Sequence, residues 1–305
     1  MICNPSATDA LRTGTDDTRA QDGAPAEYAA ALAPTATPAE PAHAGAARPL
    51  WVPLIAGRIA LSLALAAASS PGQSQPVAAG QTRIGVGAAV LVDKDGYRGV
   101  GADTLLIPGV SVRNKWIDLF GPQLDLRLVG SEDRSWWAGP RIEYRFDGYE
   151  RADGTVFNGM EDRKGGAFFG VAAATPIGGG FALEVDFVRA GRSERGAVGS
   201  VQISRAFQAR AWTFVPRIGA EYQSARYVDY YYGVRANEAT STRPAYRGTS
   251  ATSAEVGLFT RLGLSRHQSV FINLNYERYP SVIRSSPLMD ASGIAQAVIG
   301  YQYNF

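Results

Sequence analysis

From residue 83 onward the chain alternates with period two. Ile84, Val86, Ala88, Val90 and Val92 fall on one side of an extended segment, and Arg83, Gly85, Gly87, Ala89 and Leu91 on the other. Successive side chains of a strand point to opposite faces, so this pattern predicts a strand. It recurs along the chain. Trp212, Phe214, Pro216, Ile218, Ala220 and Tyr222 alternate with Thr213, Val215, Arg217, Gly219 and Glu221, and Val270, Ile272, Leu274 and Tyr276 alternate with Phe271, Asn273 and Asn275. Gly, Pro, Asp and Asn punctuate the segments. Strands are expected over about 84–92, 103–113, 115–129, 134–147, 165–176, 180–190, 196–207, 210–224, 252–264, 268–279 and 292–305, with no convincing helix after Gln81.

One face of these segments is aliphatic and aromatic, and the other carries Arg, Glu and Asn. A soluble sandwich turns its apolar face inward, whereas a membrane barrel turns it to lipid around a polar interior. Three features select the barrel. Many segments run 11–14 residues, enough to cross the apolar layer at a tilt. Aromatics gather near strand ends, at Trp136, Trp137, Tyr144, Phe146 and Tyr149, at Tyr227 and Tyr230 to Tyr232, and at Tyr276 and Tyr279, as an interfacial girdle requires. The last segment places Ile299, Tyr301, Tyr303 and Phe305 on one face, and an apolar edge strand invites aggregation unless another strand covers it. The fold class is therefore all-β, an antiparallel transmembrane β-barrel. Single-chain bacterial barrels have even strand numbers, so the eleven segments imply one error. Twelve strands are expected, with ten as the alternative. The error lies either near 148–164 or in the division of 103–129. The long stretches at about 225–251 and 280–291 face outward, and Ser265-Arg266-His267 is a short periplasmic turn.

Only 19% of residues are charged and the net charge is +2, so the footprint of a dedicated nucleic-acid binder is missing. Mean hydropathy is −0.11, which excludes a bundle of membrane helices but not a barrel. The most apolar stretch is 50–68, whose uninterrupted core 59–68 follows Arg58. About ten apolar residues suit a signal-peptide core, not a spanning helix. Ala66-Ala67-Ala68 fits the cleavage pattern. The expected organisation is an extension or misassigned start over 1–47, a signal peptide and linker over 48–79, and the barrel over 81–305. Cys3, the single cysteine, lies in the extension. The expected location is the outer membrane of a bacterium, after signal cleavage.

Gly139-Pro140-Arg141 leading to Tyr144-Arg145-Phe146 is one distinctive group. A second is Tyr231, Tyr232, Gly233 and Val234, followed by Ser241 and by Arg243, Pro244, Ala245 and Tyr246. Ser286-Pro287 and the closing Gly300-Tyr301-Gln302-Tyr303-Asn304-Phe305 complete the set. In these pieces, residues 81–305 resemble the MipA/OmpV family of outer-membrane proteins, whose name means MltA-interacting protein. The early loop, Asp95-Gly96-Tyr97-Arg98-Gly99, departs from that family in lacking a proline and in placing Arg98 where an acidic residue is usual. The resemblance implies an outer-membrane barrel acting as an envelope scaffold for murein-remodelling enzymes. A narrow porin-like channel for small solutes is the alternative. The resemblance makes the Tyr231–Val234 and Arg243–Tyr246 pieces an interaction loop, and Tyr301, Tyr303 and Phe305 an assembly signal. The partners implied are outer-membrane lipid, the barrel assembly machinery and a periplasmic murein hydrolase or synthase, with no nucleic acid.

No catalytic, cofactor or metal site is expected. His43 lies in the extension, and His267 has only Ser265 and Ser269 beside it. Asp93-x-Asp95-Gly96 opens like a calcium loop but lacks its closing glutamate, so a turn is expected. Glu150, Asp153, Glu161 and Asp162 are interleaved with Arg151, Arg163 and Lys164, which reads as a mixed solvated loop. Arg127, Arg141, Glu143, Arg145, Glu184, Asp186, Arg217, Glu221 and Arg261 are expected to line the lumen.

Overall fold

A computed structural model describes residues 82–305, except Asp95 and Arg134. The expected extension and signal peptide lie outside the described residues. The strands are β1 Arg83–Asp93, β2 Asp103–Arg113, β3 Ile117–Phe120, β4 Gln123–Leu126, β5 Trp137–Arg145, β6 Gly166–Gly178, β7 Phe181–Ala190, β8 Ala197–Arg205, β9 Trp212–Gln223, β10 Ala251–Gly263, β11 Gln268–Arg278 and β12 Gly293–Asn304. Val129–Gly130 extends β4 along β5, and Phe207–Ala209 extends β8 along β9. Each strand pairs antiparallel with the next, and β12 pairs with β1 from Gly85↔Asn304 to Asp93↔Gln296. The ring is closed, with twelve strands among the described residues.

The odd count in the sequence came from 115–129. Gly121, at φ 54°, and Pro122 reverse the chain there, so β3 and β4 form a short hairpin with Ile117 opposite Leu126. The segment 148–164 holds no strand. It forms two single-turn 3-10 helices and an isolated bridge between Tyr149 and Arg163. Because this hairpin is short, β2 has a partner on that side only from Val110 downward. Pro108, which has no N–H, lies on the unpaired stretch, and the Thr104 N–H is taken by the Asp103 carboxylate at 2.7 Å. Both are ways to quiet a strand edge.

Alternation holds around the wall. Val86, Leu106, Val171, Phe187, Ile218, Val256 and Ile299 are exposed, whereas Leu91, Arg141, Glu184, Arg217, Glu221 and Phe271 are buried inside. Exposed Trp212, Tyr222, Tyr144, Trp136, Tyr276 and Tyr301 supply outward aromatics. No described helix is long and apolar enough to cross a membrane. Tight turns sit at one end, such as Gly179-Gly180 between β6 and β7, where Gly178 to Gly180 all have positive φ. Longer connections at 146–165, 224–250 and 279–292 sit at the other end, which matches the rule of short periplasmic turns and long outer loops.

The seam depends on a glycine. A Cβ on Gly87 would lie 2.1 Å from the Tyr301 carbonyl oxygen across the β1–β12 junction, whereas one on Gly109 would meet nothing nearer than 3.8 Å. Gly87→Val is expected to abolish the fast-migrating folded band of unboiled protein on gels, and Gly109→Ala to keep it. A folded Gly87→Val barrel would contradict this packing.

Candidate functional site

The interior holds two arginine hubs. Arg141 stands on β5 directly across from Asp125 on β4. Its guanidinium donates to both Asp125 oxygens at 2.6 and 3.0 Å, to Glu184 at 2.6 Å and to Asp186 at 3.0 Å. Ser200 also donates to Asp186. The preceding Gly139 lets the β4 backbone approach closely, since a Cβ there would sit 1.8 Å from the Leu126 carbonyl oxygen. Four residues on, Arg145 donates to Asp147 at 2.9 Å, Glu221 at 3.1 Å and Glu143 at 3.2 Å. Tyr227 donates its hydroxyl to Asp147 at 2.6 Å, and Gln223 donates to Glu221 at 2.8 Å. Lower in the barrel, Arg113 and Arg127 share Asp118. Such clusters persist out of water only when donors and acceptors match one another.

All nine sequence-predicted lumen residues face inward. Arg217 on β9 and Arg261 on β10 do so without joining either hub: Arg217 lies beside Gly257, and Arg261 is opposite inward-facing Phe271. Sequence reasoning missed the apolar half of the filling. Leu91, Val215, Phe259, Phe271 and Val298 form a buried cluster on the wall of β1 and β9 to β12, joined by Phe120. The Phe271 ring packs against Phe120 and Phe259 at centroid distances of 5.8 and 6.1 Å. The signal was present: Phe259 and Phe271 occupy inward positions of otherwise clean alternations.

A cap of loops closes the outer end. Helix α1, Ala225–Tyr232, begins at Ser224, whose hydroxyl accepts from the Tyr227 amide at 3.4 Å. It buries Tyr227, Val228, Tyr231 and Tyr232, a helical spacing hidden inside a run of aromatics. These pack with Tyr97, Tyr149, Phe157, Met160, Tyr279 and Ile283. The expectation that Tyr149, Tyr227, Tyr231, Tyr232 and Tyr279 form a lipid girdle is thereby corrected: all five are buried in the cap. Tyr149 and Phe157 stack at 3.9 Å, and burial pushes the Tyr149 phenol well above its ordinary pKa.

The motif residues hold this cap together. Val234 and Tyr246 exchange backbone hydrogen bonds at 2.8 and 2.9 Å, which pins the loop at its two motif ends. Gly233 is buried where a Cβ would strike the Asp229 carbonyl oxygen at 2.2 Å. Arg243 donates to the carbonyls of Val156, Asn158 and Glu238. Ser286 donates to the Tyr232 carbonyl at 2.7 Å, and Tyr246 to that of Val282. Pro244 and Ala245 remain exposed. Arg163 clasps buried Glu238 through two contacts of 2.8 Å. Burial alone would raise the Glu238 pKa, but the hydrogen bonds from Arg163 and from the amides of Glu161 and Arg235 outweigh it and hold the group below its ordinary value.

The other candidates have local tasks. Ser265 accepts from the amides of His267 and Gln268 at 3.2 and 3.1 Å, and the His267 ring stacks on Tyr303 at 5.9 Å. Asp153 accepts from the Glu150 amide, Asp162 from the Arg151 amide, and Glu161 pairs with Arg235. Asp93 faces Gln296 at 3.4 Å, and Asp95 lies outside the described residues. At the chain end, Tyr301 is exposed on the outer face, Tyr303 half-buried and Phe305 exposed, with the Phe305 amide donating to the Ile84 carbonyl at 2.9 Å.

The family model described as MltA-interacting protein MipA matches residues 84–305. The chain belongs to the MipA family. A 24 kDa outer membrane protein of Pasteurella multocida is 25% identical over 117 residues, which are 37% of this chain and 46% of that protein. The chain thus spans about half the length of that relative. YiaT of Escherichia coli O157:H7 is 23% identical over 239 residues, 73% of this chain and 92% of YiaT. Among solved structures, the N-terminal β-barrel domain of Pseudomonas aeruginosa OprF aligns with 74% of this chain and 100% of that domain, at 10% identity and TM-score 0.25. The barrel assignment rests on the closed sheet itself. With relatives named as outer membrane proteins and a closed barrel, this MipA-family chain is an outer-membrane protein.

Two outcomes follow. Arg141→Met leaves Asp125, Glu184 and Asp186 facing one another and is expected to cost about 3–5 kcal/mol, read as a lower urea midpoint for loss of the folded band. Adding Asp125→Asn is expected to restore part of it; an unchanged midpoint for Arg141→Met would refute the hub. The Glu238 pair stabilises the cap fully above the unfolded carboxylate value of about 4.3 and loses that effect as pH falls below it. The protection factors of the α1 amides, exchange normalised to the intrinsic rate at each pH, are expected to fall on acidification to about pH 3 in the wild type. In Glu238→Gln they are expected to be lower already at pH 7 and less pH-dependent.

Proposed function

We propose that this MipA-family protein is a non-enzymatic, non-conducting envelope scaffold, which docks a murein-remodelling enzyme from its periplasmic end. The observation carrying this reading is the filled interior. Arg141 and Arg145 bind six carboxylates across the lumen, Phe259 and Phe271 occupy the facing wall, and the tyrosine-rich cap covers the outer end. A solute channel needs a continuous wet path, and charge pairs bonded this closely oppose one. The family description, which refers to interaction with MltA, supports a murein enzyme as the partner class. The motif loop lies in the outer cap, so its proposed role is to keep that end shut. Docking then falls to the short turns at the periplasmic end, such as 264–267 and 131–136.

Purified barrel in planar bilayers is expected to give no discrete conductance steps. Photocrosslinkers at Arg266 and Ser131 are expected to capture a murein hydrolase or synthase from living cells, while one at Ala245 is not. Reproducible single-channel steps would turn the reading toward the narrow channel, and capture of no murein enzyme from either turn would remove the scaffold.

A further inference from the structure

The lipid-facing surface carries a groove at the outer end of the closure seam. Its shape follows from register. One outward row across the wall is Val92 on β1, Ala297 on β12, Leu274 on β11 and Leu258 on β10. In the next row up, Ala295 pairs with Tyr276, and Lys94, the residue after β1, lines the same cavity. Above that, Gly293 faces Arg278. Small residues on β12 are therefore flanked by bulky side chains on both neighbours, and the channel between them has a volume of about 500 Å³. Ile299, 52% exposed, is the next outward residue of β12 below it.

Its length and charge point to a ligand. The cavity itself lies over Ala295 to Ala297, and the outward row of β12 that carries it runs from Ile299 to Gly293, about 20 Å along the strand. At a tilt of about 45° that is about 14 Å of depth, one leaflet of a hydrocarbon core about 30 Å thick. The groove opens upward at the end bearing the long loops, which is the outer leaflet. Lys94 lines that upper end and Arg278 stands one row above it across β12, both exposed and neither ion-paired among the described residues. Two strand spacings across and two residues along the strand separate them, about 12 Å, within reach of two long basic side chains closing around one anion. Asp290, on the loop before β12, is exposed at the same end and has its amide bonded to the Gly96 carbonyl.

We propose that this groove holds one acyl chain of a phosphorylated outer-leaflet lipid, with the lipid phosphate between Lys94 and Arg278. The apolar walls take the chain, and the paired cations select lipids with an anionic head over neutral ones. The site is independent of the scaffold reading, because it lies on the outer wall and not at the periplasmic turns.

Native mass spectrometry of the detergent-solubilised full barrel tests it, with bis-phosphorylated lipid A and its dephosphorylated form as probes. Wild type is expected to retain one lipid A molecule, with at least tenfold weaker binding of the dephosphorylated form. Lys94→Glu with Arg278→Glu is expected to lose that preference, and Ala297→Trp to weaken both lipids at least tenfold. Val171→Trp, at another lipid-facing site, is expected to change neither. Ala295→Leu serves as a second groove-filling variant should Ala297→Trp fail to give the folded gel band. Equal retention of lipid A by wild type and the folded charge-reversed variant, or by wild type and a folded groove-filled variant, would overturn the proposal.

Discussion

A backbone in lipid has no water to satisfy its N–H and C=O groups, so every such group must be paired within the wall. That constraint governs this molecule. It demands closure, and closure joins β1 to β12 along nine register pairs from Gly85 to Asp93. It also explains how one irregular place is handled. Where the β3–β4 hairpin falls short, the exposed side of β2 carries a proline without an N–H and a threonine amide capped by its neighbouring aspartate. Along the regular stretches of the ladder the side chains need only sort themselves by parity.

Parity creates the second problem, the interior. Alternate residues point into a space about the width of a few side chains, and in twelve strands that space is too large to stay empty and too small to behave as bulk water. This chain fills it with two kinds of material. On the β4 to β8 side, guanidinium groups gather carboxylates, each arginine's fan of donors matching several acceptors. On the β9 to β12 side, phenylalanine rings pack with Leu91 and Val298. Arg145 joins the two levels, since Asp147 and Tyr227 link its cluster to the helix of the cap. Lumen and cap are thus mechanically one unit.

The wall was legible in the sequence because strand parity is a local property. Every inward and outward assignment made for 83–92, 211–222 and 270–276 holds in the structure. The hairpin at Gly121-Pro122 divides 115–129, and the sequence marks it twice: by the turn chemistry of Gly-Pro and by a change of phase, with Asp118 polar before the turn and Gln123, Asp125 and Arg127 polar after it. The cap was not legible for a different reason. Eight residues are too few for a helical period to stand out, and in Tyr230-Tyr231-Tyr232 aromatics on buried and exposed faces look alike. The lumen charges were named individually, but their grouping was not, because it depends on which strands become neighbours. Arg141 meets Asp125 by register, yet meets Glu184 and Asp186 only because β6 brings β7 alongside.

The buried residues among those that carry the family resemblance share a physical role. Gly139 and Arg141 set the first hub, Arg145 the second, and Tyr232, Val234, Arg243, Tyr246 and Ser286 lock the loops above them. Almost none of these atoms reaches the surface. A family signature written in interior contacts defines a scaffold's shape and leaves its surfaces free to vary. Whatever this protein recognises must then be read from its exterior, in the periplasmic turns and on the lipid-facing wall, where single substitutions leave the hubs and the seam intact.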